Sequence, residues 1–385
     1  MPNAEQSHYP MRSRSKLNTS MRSDKVLTSS PLRRKPIPLQ HARHSQQKNE
    51  SSPPTPDRIL QIAWGYAPTL ILETALKYGI FDLLDEAPKT SEELARQTGA
   101  SMRGLKAVLN ALVGLEFLSH KGDRYVLTPE SAAFLVSARP AYYGTYFMHM
   151  TRHLMPRWMH LPEAVRSGRP VLAVNQEHAG QAFFAEFVES LFPLNYPAAK
   201  ALGEHLDIPH VTAPISVLDI GAGSGVWGIA LAHQSHHVTI HAVDWPEVLD
   251  VTRRVALRQG VADRLRTFPG DLMRADFGRE HAVAIIGHIL HSEGIDRSRQ
   301  LLRRAFAALT PGGTLAISEF MPNDERTGPP NALIFAVNML VHTEAGDTFT
   351  FSEISGWLKE AGFVNPRLLK VPAPSPLILA TKSAE

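Results

Sequence analysis

The 385-residue sequence contains no cysteine. Disulfide bonds, thiolate metal sites and a cysteine nucleophile are therefore excluded, and the absence is typical of a protein from a reducing compartment. The sequence also lacks an uninterrupted apolar stretch of about 18 residues, the length that a membrane span requires. We therefore expect a cytoplasmic protein that has no membrane partner.

The excess of positive charge lies in the N-terminal segment. Residues 1–56 hold ten Lys/Arg and three Asp/Glu, whereas the remainder holds 30 Lys/Arg and 34 Asp/Glu, within a net charge of +3. The body thus has no basic surplus with which to bind nucleic acid. Residues 1–57 are rich in Ser, Pro, Gln, Arg and His, which predicts a disordered basic tail. A solvated tail or over-long reading frame, an organellar transit peptide and a polyanion-binding arm are its three interpretations.

Residues 58–140 have the pattern of a winged-helix domain. A helical pattern runs from Ile59 to about Gly79, a short capped helix spans 90–99, a third helix spans 101–115, and a hairpin spans 117–127. The third helix carries two cations, Arg103 and Lys106. They are too few for the phosphate contacts of a DNA-recognition helix, so we favour a dimerisation module.

Residues 141–206 form a helical segment unusually rich in aromatic, Met and His side chains. Such residues most often form a core, but here they stand between two predicted domains. Some of them are therefore expected to line a pocket for a flat apolar substrate. The substrate candidates in this segment are Met148, His153, Trp158 and Phe184.

Residues 207–385 alternate strands and helices, which predicts an α/β, doubly wound (Rossmann-like) domain. Strands are predicted at 215–220, 238–243, 265–268, 282–287, 314–320, 366–371 and 376–381, and helices at 225–233, 246–259, 295–309, 330–342 and 351–361. The last two strands predict an antiparallel terminal hairpin. Asn338, Met339 and His342, on a helix predicted to face the site, are further substrate candidates.

A glycine-rich turn follows the first of these strands. Gly221, Gly223 and Gly225 stand between the strand and an apolar helix, which is typical of a nucleotide-type site. Asp244 ends the next strand, where an acid accepts hydrogen bonds from a ribose diol. Asp219 precedes the glycines and suits a cationic ligand better than a pyrophosphate. S-adenosylmethionine, which carries an ammonium and a sulfonium and no phosphate, is such a ligand.

Val217–Gly225 resembles motif I of the class I S-adenosylmethionine-dependent methyltransferases. Pro269–Met273 resembles their later acidic motif, and Leu309–Leu315 resembles their turn into the fifth strand. Across residues 58–385 the sequence is similar to the small-molecule O-methyltransferases of plant caffeate/isoflavone and bacterial antibiotic-tailoring type. These enzymes join an N-terminal winged-helix dimerisation domain to a class I methyltransferase domain.

The resemblance implies an enzyme of secondary metabolism that methylates a hydroxyl of an aromatic or polycyclic small molecule. Its cofactor would be S-adenosyl-L-methionine, its product S-adenosyl-L-homocysteine, and its assembly a homodimer formed through the N-terminal domain. No metal is expected, and the sequence shows no His/Asp/Glu cluster with the spacing of metal ligands. The implied cofactor-binding residues are Asp219, Gly221, Gly223, Asp244, Asp271, Leu272 and Gly287.

The family's Trp-x-x-His-Asp-Trp stretch aligns with residues 288–293. This alignment places the catalytic general base at His291, and the Glu that braces the base in the family matches Glu319. His288 is a second histidine in the same stretch. A neutral imidazole can take a phenol proton as methyl transfer proceeds.

Three positions depart from the family pattern. Ser292 stands where the family has Asp, Thr348 stands where it has a second bracing Glu, and Asp347 lies one place early. The base is therefore expected to be less well buttressed, which leaves N- or C-methylation and a non-methylating cyclisation or decarboxylation open. A winged-helix regulator that senses S-adenosylmethionine is the remaining alternative.

Overall fold

In the computed structural model, residues 54–171, 173, 183–185 and 187–383 are described. The interpretations of the basic tail therefore fall almost wholly outside the described residues. Within the described residues, no helix is both long and apolar enough to cross a lipid bilayer.

The N-terminal part consists of short helices followed by a hairpin. These elements are α1 (Asp57–Ala63), α2 (Tyr66–Lys77), α3 (Ile80–Glu86), α4 (Ser91–Thr98), α5 (Met102–Gly114), β1 (Leu118–Lys121) and β2 (Arg124–Leu127). The prediction of one continuous helix from Ile59 to near Gly79–Asp82 is wrong, because this stretch forms α1, α2 and the start of α3. The chain turns at Gly65, and α3 begins after Gly79, whose φ of +64° is left-handed. The short capped helix is confirmed, since Thr90 and Glu93 form a capping box.

The first helix has no buried residue, although its sequence is largely apolar. Ile59 and Ile62 are each 71% exposed, and Trp64 just after the helix is 66% exposed. A contiguous exposed apolar surface of this kind is typical of a contact with another protein surface.

The following segment is helical, as expected. Its elements are α6 (Pro129–Phe134), α7 (Gly144–His149), a π-helix (Met150–Leu154), α8 (Met155–Trp158), α9 (Leu161–Ser167), a 3₁₀ turn (Val188–Leu191), α10 (Phe192–His205) and a 3₁₀ turn (Ile208–His210). Helices α8 and α9 pack against a helix of the next part of the chain. The segment therefore covers one side of the C-terminal domain.

The C-terminal part alternates strands and helices with bounds close to those predicted. They are β3 (Ile215–Ile220), α11 (Val226–Ala232), β4 (Val238–Asp244), α12 (Pro246–Arg258), a 3₁₀ turn (Ala262–Arg264), β5 (Leu265–Pro269), β6 (His281–Gly287), α13 (Leu290–Ala308), β7 (Leu309–Ser318), α14 (Pro330–His342), α15 (Phe351–Glu360), β8 (Phe363–Leu369) and β9 (Leu377–Lys382). Helix α13 begins five residues earlier than expected because one helical turn precedes a kink at Gly294.

Seven strands form one sheet in the order β5-β4-β3-β6-β7-β9-β8. Strands β3 to β7 are parallel, and β9 runs antiparallel to both β7 and β8, which confirms the doubly wound fold with an antiparallel terminal hairpin. Apolar side chains cover both faces of the sheet, as they must in a parallel sheet. The strand order reverses between β3 and β6, and ligands bind at the carboxyl ends of strands beside such a reversal.

Candidate active site

A cavity of about 130 Å³ lies at this reversal. It is lined by the glycine turn after β3, the ends of β4, β5 and β6, and the start of α13. Its lining includes Gly221, Gly223, Asp244, Trp245, Asp271, Leu272, Gly287, His288, His291, Glu293 and Arg297. Apart from Asp219, which lies beneath the glycine turn, every residue expected to bind the cofactor reaches this cavity.

The glycine turn is held in shape by Asp244. Its carboxylate accepts hydrogen bonds from the main-chain N–H groups of Gly223, at 2.9 Å, and Trp245, at 2.7 Å. Gly221 has a φ of +66°, and a Cβ at this position would stand 2.4 Å from Ile289 Cδ1. A side chain at Gly221 is therefore excluded by both conformation and space, and the backbone itself forms the cavity wall.

Two carboxylates, the buried Asp219 and the partly buried Asp244, give this end of the cavity a field that favours cations. Asp219 accepts a hydrogen bond from Gly228 N at 3.0 Å, and its Oδ1 has no partner among the described residues. Burial raises the pKa of Asp219 to about 7, and the nearby Asp244 adds to this effect; burial likewise raises the pKa of Asp244 to about 6. These acids fit the ammonium, sulfonium and ribose hydroxyls of S-adenosylmethionine, and they do not fit a phosphate.

The rim of the cavity carries a charge network that the sequence analysis did not predict. Arg297 donates to Asp271 Oδ2 at 3.2 Å and forms a close ion pair with Glu293. Burial raises the pKa of Glu293, although Arg297 opposes the change. The arginine thus ties the acid after β5 to the first turns of α13. The sequence around Arg297 did not indicate this contact with Asp271.

His291, which lines the cavity, forms a buried pair with Glu319 behind it. His291 Nδ1 lies 2.6 Å from Glu319 Oε2, while Glu319 Oε1 accepts a hydrogen bond from Leu290 N at 2.7 Å. Burial acts to raise the pKa of Glu319, but the facing His291 outweighs it and the pKa is lowered. Glu319 is therefore an anion that orients the imidazole ring, and Nε2 is the ring nitrogen that remains for a substrate hydroxyl.

His288 stands beside this pair. Its Nε2 lies 3.1 Å from Ser318 Oγ, its Nδ1 has no partner in the described part of the chain, and burial lowers its pKa to about 4, so the ring is neutral. Nitrogen atoms of His288 and His291 and an oxygen of Glu319 lie within 4.8 Å of one another, close enough to hold a metal ion. The sequence analysis considered only the spacing of ligand residues along the chain and did not predict this spatial cluster. The cluster forms because Glu319 comes from the neighbouring strand end, which spacing along the sequence does not reveal.

A loop after α14 contacts the main chain of the same histidine. Asp347 N donates to His291 O at 2.9 Å, and the Asp347 carboxylate turns back to accept from Thr348 N at 2.7 Å. Thr348 is fully buried. Neither side chain forms an ion pair with the imidazole, so the brace that the family places here is supplied by main-chain contacts.

The substrate candidates are placed unevenly. Phe184 lines the cavity, whereas Trp158 Nε1 donates to Asn338 Oδ1 at 3.0 Å. Met339 and His342 are buried, and His342 Nδ1 bonds to the main chain of Asn338 at 2.8 Å. The remaining two candidates, Met148 and His153, are half-buried on α7 and the π-helix. Within the described residues, these six do not line the cavity that Phe184 lines.

Two aromatic residues near the base were missed by the sequence analysis. The ring of Phe335 meets the His291 ring edge-on at 4.9 Å, and Phe320 lies 4.3 Å from Phe335 and 5.2 Å from His288. Phe335 lies one turn before Asn338 on α14. Because residues three apart on a helix share a face, the choice of Asn338 as a candidate could also have indicated Phe335.

Comparison with known families gives matches over most of the chain. Residues 60–137 match the O-methyltransferase dimerisation domain, and residues 158–364 match the O-methyltransferase domain. The second match covers more than half of the sequence. The chain belongs to the O-methyltransferase family. It is an S-adenosylmethionine-dependent methyltransferase, and the expectation of an N-terminal dimerisation domain is confirmed.

Individual relatives agree with this assignment. The methyltransferase is 29% identical to 3-hydroxy-5-methyl-1-naphthoate 3-O-methyltransferase of Streptomyces sahachiroi, over 83% of this chain and 92% of that protein. A Nostoc punctiforme protein assigned to the O-methyltransferases is 28% identical with a TM-score of 0.78, over 86% of this chain and all of that one. Human N-acetylserotonin methyltransferase in complex with S-adenosylmethionine shares the fold, with 24% identity and a TM-score of 0.75, over 87% of this chain and all of that one.

Proposed function

We propose that this methyltransferase transfers a methyl group to a hydroxyl of an aromatic small molecule, with His291 as general base and Glu319 as the residue that orients it. The observation that carries the proposal is the buried His291–Glu319 pair, with a 2.6 Å contact, in the wall of the cavity that also contains the glycine turn. General base and cofactor-binding residues thus share one cavity.

Each part of the site has one task in this reaction. Bound S-adenosylmethionine supplies an electrophilic methyl group. His291 Nε2 accepts the proton of the acceptor hydroxyl, and the Glu319 anion stabilises the imidazolium that results. Leu290 N–H holds the second oxygen of Glu319, so the carboxylate cannot rotate away from the ring. The main contribution to rate is positioning of the hydroxyl, because the sulfonium is already reactive.

The cofactor lies, in this proposal, along the carboxyl ends of β3, β4 and β5. Asp244 accepts from the ribose hydroxyls, Asp271 and Leu272 contact the adenine, and Asp219 stabilises the positive charge from beneath the glycine turn. Gly221, Gly223 and Gly287 leave room for the ligand. The His288, His291 and Glu319 cluster is assigned to proton transfer, because Glu319 Oε2 is already engaged with His291 Nδ1.

A flat aromatic acceptor suits the wall opposite the cofactor. Phe335 and Phe320 lie next to the base, and Phe184 lines the cavity 6.0 Å from Trp245. The relative from Streptomyces sahachiroi methylates a hydroxynaphthoate, which supports an aromatic acceptor from secondary metabolism here.

We further propose a homodimer. Its contact surface is the exposed apolar side of α1 with Trp64. The domain division that goes with it is a tail at 1–57, a dimerisation domain at 58–140, a helical substrate region at 141–206 and a cofactor domain at 207–385. A cytoplasmic location remains part of the proposal and is supported by the absence of cysteine.

The test is incubation of the full chain with methyl-labelled cofactor and a panel of aromatic hydroxy compounds, followed by mass spectrometry. Wild type should add one labelled methyl group to a hydroxyl. His291→Ala should reduce turnover by roughly 100-fold or more, because a general base contributes about 10²–10⁴-fold. Label transfer at the wild-type rate in His291→Ala would remove the base from the proposal. Transfer of the label to a nitrogen or carbon atom of the acceptor would contradict the proposal of O-methylation.

A further inference from the structure

Trp227 presents a hydrogen-bond donor to the cofactor cavity. The residue stands in the first turn of α11, lines the cavity and is only 3% exposed. Within the part of the chain that the structure describes, no hydrogen bond from its Nε1–H to a protein group is found, and the atom borders the cavity and is not sealed inside the core. A Trp N–H removed from bulk water normally has an acceptor, since leaving it unpaired costs free energy. A polar group of a ligand bound in the cavity can supply this acceptor.

Gly287 fixes where the donor lies. A Cβ built on Gly287 would stand 2.2 Å from Trp227 Nε1, closer than any non-bonded contact allows. The indole N–H therefore lies directly against the carboxyl end of β6, at the edge of the sheet where β3 also ends. A larger residue at 287 would displace the ring from this position.

The charges around the cavity indicate which ligand group needs the donor. Asp219, Asp244 and Asp271 are carboxylates, which suit the cationic and hydroxyl groups of S-adenosylmethionine. The cofactor also carries a carboxylate, which these acids repel. That carboxylate is attached to the same carbon as the ammonium group. A donor for it is therefore expected next to an acid, and Trp227 directly precedes Gly228, whose N–H binds Asp219.

We infer that Trp227 Nε1–H donates a hydrogen bond to the carboxylate of the amino-acid end of S-adenosylmethionine, with Gly287 providing the space for the ring. Asp219 and Trp227 then form an acid and a donor side by side, which is the pattern that recognises an α-amino acid. The inference concerns one residue of this chain toward its cofactor and does not depend on the identity of the methyl acceptor.

Matched ligands test the inference. Affinities of S-adenosylmethionine and of its decarboxylated analogue are measured by calorimetry on wild type and Trp227→Phe. A hydrogen bond to a charged group predicts that the variant binds S-adenosylmethionine about tenfold more weakly. Affinity for the decarboxylated analogue should change less than about twofold.

Trp245→Phe is the control, since Trp245 also lines the cavity. It should not discriminate between the two ligands. Equal losses for both ligands in Trp227→Phe would overturn the inference and reduce Trp227 to a packing role. Unchanged affinity for S-adenosylmethionine would overturn it as well.

A measurement on wild type keeps the inference testable if Trp227→Phe does not fold. The chain has five Trp residues, so ¹⁵N-Trp labelling gives a small set of indole N–H signals. One of them should shift downfield on addition of S-adenosylhomocysteine, which retains the carboxylate, and should not do so with the decarboxylated analogue. The same shift with both ligands, or no such shift, would contradict the assignment. Failure of wild type to bind either ligand would instead overturn the cofactor assignment.

Discussion

Glu319→Gln is the change that isolates the charge of the His291 brace. Glu319 uses both of its oxygens: Oε1 accepts from Leu290 N at 2.7 Å, and Oε2 faces His291 Nδ1 at 2.6 Å. An amide has one oxygen and one NH₂ group, so it cannot replace both contacts. If its oxygen stays on Leu290 N–H, its NH₂ group faces Nδ1, and the imidazole proton moves to Nε2. Nε2 then cannot accept a proton from the acceptor.

The opposite amide orientation is no better, because it buries the NH₂ group against Leu290 N–H. The imidazolium also loses its facing anion. General-base catalysis contributes roughly 10²–10⁴-fold, so we expect kcat to fall by about 100-fold, or about 2.7 kcal/mol of activation free energy. The dissociation constant of the cofactor should stay within about twofold, since Glu319 does not line the cofactor end of the cavity.

Initial rates of product formation at saturating cofactor, followed by mass spectrometry, measure this effect. Glu360→Gln is the matched control, because it makes the same chemical change in an exposed ion pair with Arg299, at 3.0 Å. It should leave kcat unchanged, as exposed pairs contribute little. Retention of more than half of kcat in Glu319→Gln, with a normal unfolding midpoint, would refute the role assigned to the carboxylate.

Three further predictions concern position, pH and stability. Gly346→Ala should lower kcat by roughly tenfold or more in the same rate assay, because its Cβ would stand 2.4 Å from the His291 carbonyl oxygen; Gly356→Ala, which meets nothing within 4 Å, is its control. Calorimetry should show cofactor affinity falling as pH drops through about 7 and then about 6, because burial raises the pKa of Asp219 to about 7 and that of Asp244 to about 6 and protonation removes their charges; S-adenosylhomocysteine, without the sulfonium that Asp219 stabilises, should lose less. Burial lowers the His241 pKa to about 4, so urea unfolding should show stability complete above about pH 6.5, the ordinary histidine pKa, and declining toward pH 4. His241→Phe should flatten that decline, and equal slopes in both proteins would contradict it.

Strand ends were the most predictable part of the fold and the site. The apolar runs that form β3, β4 and β6 are short, continuous and bounded by glycine or acid, so their lengths leave few alternatives. Residues at strand ends in a parallel sheet converge on one edge. Asp244 and Gly287 could therefore be assigned to one cavity from the sequence. Glu319, in contrast, was identified from the resemblance to the family, and it lies just after β7 and not inside it.

Helical side chains were harder to place than strand ends. Rotation about a helix axis decides which residues face the cavity, and the apolar composition of α14 does not reveal that rotation. Asn338 was expected at the acceptor and pairs with Trp158, whereas Phe335 on the same helix meets the base. Arg297 pairs with Glu293 four residues earlier on the same helix, but its contact with Asp271 joins two different elements. The second contact depends on tertiary packing and leaves no periodic signal in the sequence.

The resemblance indicated a weakened base because Thr348 replaces an acid. In the structure, however, the positioning of His291 and the negative charge beside it come from different groups. Position is fixed through the main chain: Asp347 N–H holds the His291 carbonyl, and Arg326 fastens the loop by donating to Thr348 O at 3.0 Å. Charge comes from Glu319. The two losses should therefore have different effects. Displacement of His291 leaves its ring paired with the Glu319 anion, whereas neutralisation of Glu319 leaves the ring in place but in the wrong tautomer. An enzyme braced in this way needs no second acid to orient its base.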